Sequence, residues 1–291
     1  MRVFVIIAVH NRKEQTLKCL KLLSEQTFKN LEIVLVDDGS SDGTEEIVKD
    51  LYPQIHIIKG DGNWWWARSM NEGFKYALNN KADILITLNN DVLFNSSLID
   101  NLVQLHSHQP DAILGCLNTV LKEKEYIFFS GIKAIKWWKA KEEKYHQPFS
   151  SYQSDLNGLH LTYCLNGRGT LIPANVFKSV GFFDEVRFPQ YAADYDFTLR
   201  ARKKGISVMI SWDIKIQSIL ESTGQGRTFI RQSWKKFLQS FTNRYSATSW
   251  RMWLNYYYKH AGWMIISGLP FQFIKLGYSF FKKRKQMEGI R

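Results

Sequence analysis

Apolar residues enter this chain in short runs, and each run ends in a polar break. Residues 3–9 (VFVIIAV) are continuously apolar and rich in β-branched side chains, the pattern of a strand buried on both faces. The Asn11/Glu14 spacing then suits a helix start, and Leu17, Leu20 and Leu23 supply an apolar stripe as far as Gln26. Residues 31–36 predict a second strand that stops at Asp37-Asp38-Gly39-Ser40. Asp42-Gly43-Thr44-Glu45 opens another short helix, and residues 55–58 predict a third strand. After Gly60-Asp61-Gly62-Asn63 and three consecutive tryptophans comes a helix beginning at Arg68–Asn71, with Met70, Phe74, Ala77 and Leu78 on one face, then a fourth strand over 84–88. This alternation predicts an α/β fold with a mostly parallel, Rossmann-like sheet flanked by helices.

The following stretch is less regular. Residues 113–135 predict strands with turns, 137–154 a long polar, lysine-rich loop, and 163–172 another strand. Pro173 opens a short helix, and residues 194–204 form a helix with an acid at its start and Lys-Lys-Gly at its end.

Ligands of open parallel sheets bind beyond the carboxyl ends of the strands. The residues there are His10-Asn11-Arg12, Asp37-Asp38-Gly39, the Gly60–Asn63 turn and Asn89-Asn90-Asp91, a largely acidic and amide edge. A carboxylate at Asp37 or Asp38 can accept from a pyrimidine N–H or ribose hydroxyls; equally, the D-D-G-S-S-D-G string is a turn. Asn89-Asn90-Asp91 offers hard oxygen ligands suited to Mg²⁺ or Mn²⁺, or else an Asx-capped turn. No G-x-G-x-x-G, P-loop, G-x-S-x-G or H-E-x-x-H pattern occurs, which disfavours dinucleotide, P-loop, hydrolase and zinc-protease chemistry.

Charge divides the chain. Residues 225–291 hold 13 Lys and Arg against one Glu, whereas residues 1–224 hold 26 basic and 26 acidic side chains. The same last segment carries 16 of the 42 aromatics, so a second unit is expected from about residue 225. Three cysteines (Cys19, Cys116, Cys164) without C-x-x-C spacing support neither a disulfide framework nor a zinc knuckle and favour a reducing compartment. The first apolar run spans only seven residues and precedes charge, so neither a signal peptide nor a membrane span is expected there.

The ordered series VHNR (9–12), VDDGSSDGT (36–44), GNWWWARSMNEG (62–73), TLNNDV (87–92), GFFDE (181–185) and ADYDFTLRARKKG (193–205) resembles glycosyltransferase family 2, and more narrowly its rhamnosyltransferase-like bacterial branch. The resemblance covers roughly residues 3–225 and implies a GT-A fold, inverting transfer from a nucleoside-diphosphate sugar (UDP or dTDP rather than GDP) and a divalent cation. Position by position it places Asp37 at the nucleobase, Asp38 at the ribose, Asn89-Asn90-Asp91 at the D-x-D-like motif with Asp91 the metal ligand, and Asp194 as general base. Alone, Asp194 would be read as a helix N-cap. Two departures stand out: only the last acid of D-x-D remains, and Ala193 replaces the family's Glu. Where relatives often present a metal-binding histidine, this chain reads Ile216-Gln217-Ser218-Ile219-Leu220. Taken with the missing histidine, these departures predict weaker metal binding. Trp65 and Trp66 are expected to wall the sugar or acceptor pocket, with Arg68 and Asn71 facing the nucleotide.

In the tail, Trp250, Trp253, Leu254, Tyr257 and Tyr258 recur at one face of a helix. Residues 261–274 are apolar, but interrupted by Gly-Leu-Pro and short of the ~20 residues needed to span a bilayer. With Lys282-Lys283-Arg284-Lys285 following Phe280-Phe281, the tail reads either as an anchor to an anionic membrane surface or as a helical subdomain packed on the catalytic unit. No nucleic-acid-binding module is recognisable. The resulting expectation is a peripheral enzyme at the cytoplasmic face of the membrane, acting on a glycan or lipid-linked acceptor in cell-surface polysaccharide assembly. The competing expectation is a catalytically inactive, membrane-associated scaffold of the same fold.

Overall fold

The computed structural model describes residues 1–219 and 233–288, with side chains up to Phe281. The expected boundary near residue 225, Leu220 and the side chains of Lys282–Lys285 therefore lie outside the described residues.

The first half winds as β1 (Val3–Val9), α1 (Lys13–Ser24), β2 (Leu31–Asp37), α2 (Thr44–Leu51), β3 (His56–Lys59), α3 (Trp65–Asn79) and β4 (Ile84–Thr87). These four strands are parallel in the order β3-β2-β1-β4. After β5 (Val92–Leu93) and α4 (Leu98–His108), the chain adds β6 (Ile113–Leu121), β7 (Glu125–Phe129), β8 (Ile132–Lys136), β9 (Lys141–Lys144), β10 (Leu159–Leu161) and β11 (Thr170–Pro173). Two helices, α5 (Ala174–Val180) and α6 (Ala193–Lys203), precede β12 (Val208–Ser218). β11 enters antiparallel between β4 and β6, and β12 lies parallel to β6. The main sheet thus runs β10-β12-β6-β11-β4-β1-β2-β3.

Alternation along β1 sends Phe4 and Ile6 into one core and Val3, Val5, Ile7 and Val9 into the other. The first core includes residues of α3, α5 and α6; the second includes residues of α1 and α4. Among the described residues three further helices follow: α7 (Trp234–Thr242), α8 (Trp250–His260) and α9 (Ile265–Glu288). Met252, Tyr256 and Tyr257 of α8 are buried in the first core.

Four expectations change. Residues 137–154 are not a plain loop: Lys141–Lys144 pairs with Ile132–Lys136 as a hairpin, and Ser151 bridges to Tyr126. The lysine-rich sequence lacks the apolar alternation that marks a strand. Of residues 163–172 only the end is strand, because Asn166-Gly167-Arg168-Gly169 makes a turn, with Gly169 at φ +69°. Pro270 does not interrupt α9, which continues through it. The helix loses the hydrogen bond to the Ile266 carbonyl, and Ile266 lies on the solvent side. Finally, the aromatic stripe of α8 is split, with Tyr257 buried and Trp250, Leu254 and Tyr258 exposed.

Candidate active site

Strand register brings the candidate residues to one edge. Val9 lies beside Asp37 and Asp37 beside Lys59, so the loops starting at His10, Asp38 and Gly60 emerge next to one another. The His10 Nδ1–H donates to the Asp38 carbonyl (2.6 Å), and Asn11 Oδ1 accepts from the Ser41 N–H (2.7 Å). Asn11 therefore ties two loops rather than starting α1, whose first N–H, from Lys13, donates to Asp42 Oδ2 (2.8 Å). Both His10 and Asn11 remain exposed at the edge.

Asp37 and Asp38 have different duties. Asp37 Oδ1 accepts from the Ser40 N–H, but its Oδ2 is buried and has no partner. Such an oxygen is available to a ligand N–H. In Asp38, Oδ1 accepts from Gly62 (2.9 Å) and Trp64 (3.1 Å), and Oδ2 from Trp65 (2.9 Å). Those of Trp64 and Trp65 are N–H groups that the entry to α3 leaves without helical partners. Asp38 is thus a clamp on the Gly60–Trp65 turn, a duty that its expected place at the ribose does not include. Gly39 completes the clamp at φ +67°, since a Cβ there would lie 2.7 Å from the Gly62 nitrogen.

The three tryptophans point three ways. Trp64 is half-buried beneath the Arg68 guanidinium, 4.9 Å from its ring. Trp65 starts α3 at φ +60°, remains partly exposed and stacks on Tyr245 with centroids 3.8 Å apart. Trp66 stacks on Phe183 and covers Gly167, where any Cβ would enter its ring. Helix α3 therefore begins at Trp65, three residues before Arg68. Asn71 does not face the edge: it is buried, exchanges hydrogen bonds with the Phe183 backbone at 3.0 Å and donates to Glu185 (2.6 Å). Its amide fixes the Gly-Phe-Phe-Asp-Glu segment, so its expected nucleotide contact is corrected.

The chemistry converges on Asp91, Arg168 and Asp194. Asp91 is buried, with Arg12 Nη1 3.6 Å from Oδ2 and Arg168 Nε 3.8 Å from Oδ1. Asp91 Oδ1 and Arg168 Nε are both buried without hydrogen-bond partners. Asn90 is turned inward to Thr16 (3.0 Å), away from a ligand position, while Asn89 is half-buried and offers its carbonyl to the Cys19 thiol. One residue before Arg168, the Gly167 N–H donates to Asp194 Oδ2 (2.9 Å), and Asp194 Oδ1 accepts from Tyr195 (2.8 Å). Desolvation raises the Asp194 pKa above the ordinary carboxylate value, against the opposing pull of these N–H groups and the Arg168 charge. Asp194 is the second residue of α6 and not its cap; the cap, Ala192, sits at φ +69°. Asn11, Trp65 and Ala192 all hold left-handed backbone at this edge, a form of strain that concentrates at functional sites.

Arg168 escaped the sequence analysis because Asn166–Gly169 was assigned to a strand. An arginine between two glycines after an apolar run was the available signal. A separate cleft, lined by Leu78, Asp83, His106, Pro173 and Lys178, lies at the opposite end of the strands and holds none of these groups.

Behind Asp194, the same helix buries a second acid. Asp196 accepts from Arg200 (2.8 Å), Lys259 (2.7 Å) and His260 (2.9 Å), the last two from α8. Burial alone would raise its pKa; His260, Arg200 and Lys259 outweigh that and hold it at about 2. Lys259 also reaches Asp184 (2.9 Å), so α8 grips both α6 and the segment before it.

Asp91 Oδ1 fits one ligand of a divalent cation: it is a hard, buried acceptor that no donor occupies. No cluster of three acidic, His or Cys side chains able to hold a metal occurs among the described residues, so most of the coordination would fall to water and phosphate oxygens.

Residues 4–160 match the family model described as glycosyl transferase family 2. An uncharacterized glycosyltransferase of Rickettsia typhi is 26% identical over 252 residues, covering 83% of this chain and 73% of the relative. The dTDP-rhamnosyl transferase RfbF of Shigella flexneri is 25% identical over 219 residues, 74% of this chain and 68% of its own. The crystal structure of GalNAc-T7 with UDP, GalNAc and Mn²⁺ superimposes with a TM-score of 0.61 at 15% identity, covering 83% of this chain and half of that one. With the family model spanning more than half of its length and the sheet order that carries the site, the chain belongs to glycosyl transferase family 2 and has a GT-A fold.

Proposed function

We propose that the protein transfers a sugar, with inversion, from a nucleoside-diphosphate sugar to a hydroxyl of a glycan or lipid-linked acceptor during cell-surface polysaccharide assembly at the cytoplasmic face of a membrane. The observation that carries this reading is the desolvated Asp194 carboxylate on a turn shared with Arg168 and, through it, Asp91.

A sugar hydroxyl is a poor nucleophile. Asp194 takes its proton as the new bond to the anomeric carbon forms and the bond to the diphosphate breaks on the opposite face. A pKa raised by desolvation suits this duty, because the base then accepts the proton more readily. Arg168 and Arg12 set positive charge beside Asp91, where the diphosphate develops its own negative charge. A divalent cation on Asp91 would supply further charge neutralisation there. The free Asp37 oxygen meets the single imino N–H of a pyrimidine, which favours UDP or dTDP as the carrier. Trp65 and Tyr245 offer a stacked aromatic wall to the sugar or acceptor.

Donor hydrolysis and transfer over a panel of UDP-, dTDP- and GDP-sugars, with Mg²⁺ or Mn²⁺, tests the reading. Turnover that falls in Asp194→Asn and Asp91→Ala is expected. Turnover of no donor, or variants equal to wild type, would leave the inactive scaffold as the better account.

A further inference from the structure

Helix α9 has two unlike faces. On one, Gly268, Gln272 and Phe280 are buried; Phe280 stacks on Phe237 of α7 at 4.0 Å, and Gly268 abuts the Trp137 carbonyl. On the other, Ile266 is 79% exposed, Ile274 67%, Tyr278 65% and Phe281 54%, while Trp263 in the preceding turn is 78% exposed. At 3.6 residues per turn, Ile266, Pro270, Ile274, Tyr278 and Phe281 fall within about a third of the circumference over roughly 22 Å. The stripe continues onto α7, where the Trp234 ring lies 5.0 Å from that of Phe281 and Leu238 is exposed one turn further on.

A contiguous apolar surface of this kind marks a contact site rather than ordinary scattered exposure. Its surroundings define the partner. No Asp or Glu occurs between Ser233 and Phe281, Lys235 and Lys236 stand exposed beside Trp234, and the sequence continues as Lys282-Lys283-Arg284-Lys285. Self-association through this face would bring together two segments that each carry a large positive excess. An anionic surface complements both the charge and the aromatics. No helix among the described residues is long and apolar enough to cross a membrane, so contact is in the plane of the interface.

We propose that α9 lies flat on an anionic lipid surface, inserting Trp263, Ile266, Ile274, Tyr278 and Phe281 at the acyl boundary, with Trp234 and Leu238 at its edge and the basic residues on the headgroups. The assignment rests on the membrane location proposed above and names the surface that produces it. In this arrangement the buried face of α9 and the Lys259 and His260 contacts of α8 hold the catalytic unit above the lipid.

Co-sedimentation of the full chain with phosphatidylglycerol-containing and pure phosphatidylcholine vesicles tests the proposal. Binding to the anionic vesicles is expected, reduced by raising salt, and about tenfold or more weaker in Ile266→Ser/Ile274→Ser, because two apolar side chains no longer leave water. The melting temperature and donor hydrolysis of that variant should match wild type. Equal binding by variant and wild type, equal binding to both vesicle types, or a dimer that the double substitution dissolves would each overturn it. Vesicle binding without turnover of any donor would instead overturn the catalytic reading and leave this surface assigned.

Discussion

Asp38 and Asp91 each lie just past a strand of the same sheet, both buried, yet Asp38 accepts from three backbone N–H groups while Asp91 Oδ1 accepts from none. The first belongs to a region around Gly60–Trp66 whose polar groups satisfy one another, with Asn71 doing the same for the segment after Gly181. The second belongs to a region where the buried Asp91 Oδ1 and Arg168 Nε stay open, while Asp194 beside them accepts from Gly167 and Tyr195. Buried polar atoms without partners are costly and uncommon. In this molecule open hydrogen bonding sets Asp37, Asp91 and Arg168 apart from Asp38 and Asn71, a distinction that residue type alone does not make.

The sharpest break of that contrast is Asp194→Asn, which should lower kcat by about 10³ by removing the base while leaving the fold intact. Single-turnover kinetics and a melting curve on one sample check both halves. Asp38→Ala should do the reverse, lowering stability by about 3 kcal/mol as three N–H groups lose their acceptor, with denaturant unfolding as the measure.

Asp196→Asn comes next, at about 2 kcal/mol from the depressed pKa. Because the folded pKa lies below the unfolded one, this stabilisation is complete above the ordinary carboxylate pKa and is lost as pH falls towards 2. Wild type should therefore lose stability across that acid window faster than the variant. Smallest is Arg168→Gln, expected to weaken nucleoside-diphosphate binding about tenfold through loss of one charged contact. Arg168 also opposes the rise in the Asp194 pKa, so its removal should move the acid limb of the pH–rate profile to higher pH. An unmoved limb would detach Arg168 from the base.

Much of the sheet was legible because β1, β2 and β4 are mostly apolar runs, and the first two bring the loops after them out side by side. The β8–β9 hairpin was not legible, since Lys141–Lys144 is charged throughout and owes its conformation to its partner strand. Within the site, sequence order offered Asp37, Asp91 and Asp194 as candidates for the roles proposed above. Asp38 and Asn71 could not be separated from them, because a carboxyl or amide looks the same whether it faces a ligand or a backbone N–H 24 or 112 residues away.

The two acids on α6, Asp194 and Asp196, stand two residues apart and answer to different ends of the chain. One meets the Gly167 turn at the cleft, and the other is paired with the Lys259 cation and hydrogen-bonded by His260, both of α8. The tail is therefore not a cassette that can be exchanged freely between related enzymes. A graft of this catalytic unit onto a foreign C-terminal segment must bring its own cation and hydrogen-bond donor to Asp196, or it leaves a buried charge beneath the base it is meant to preserve.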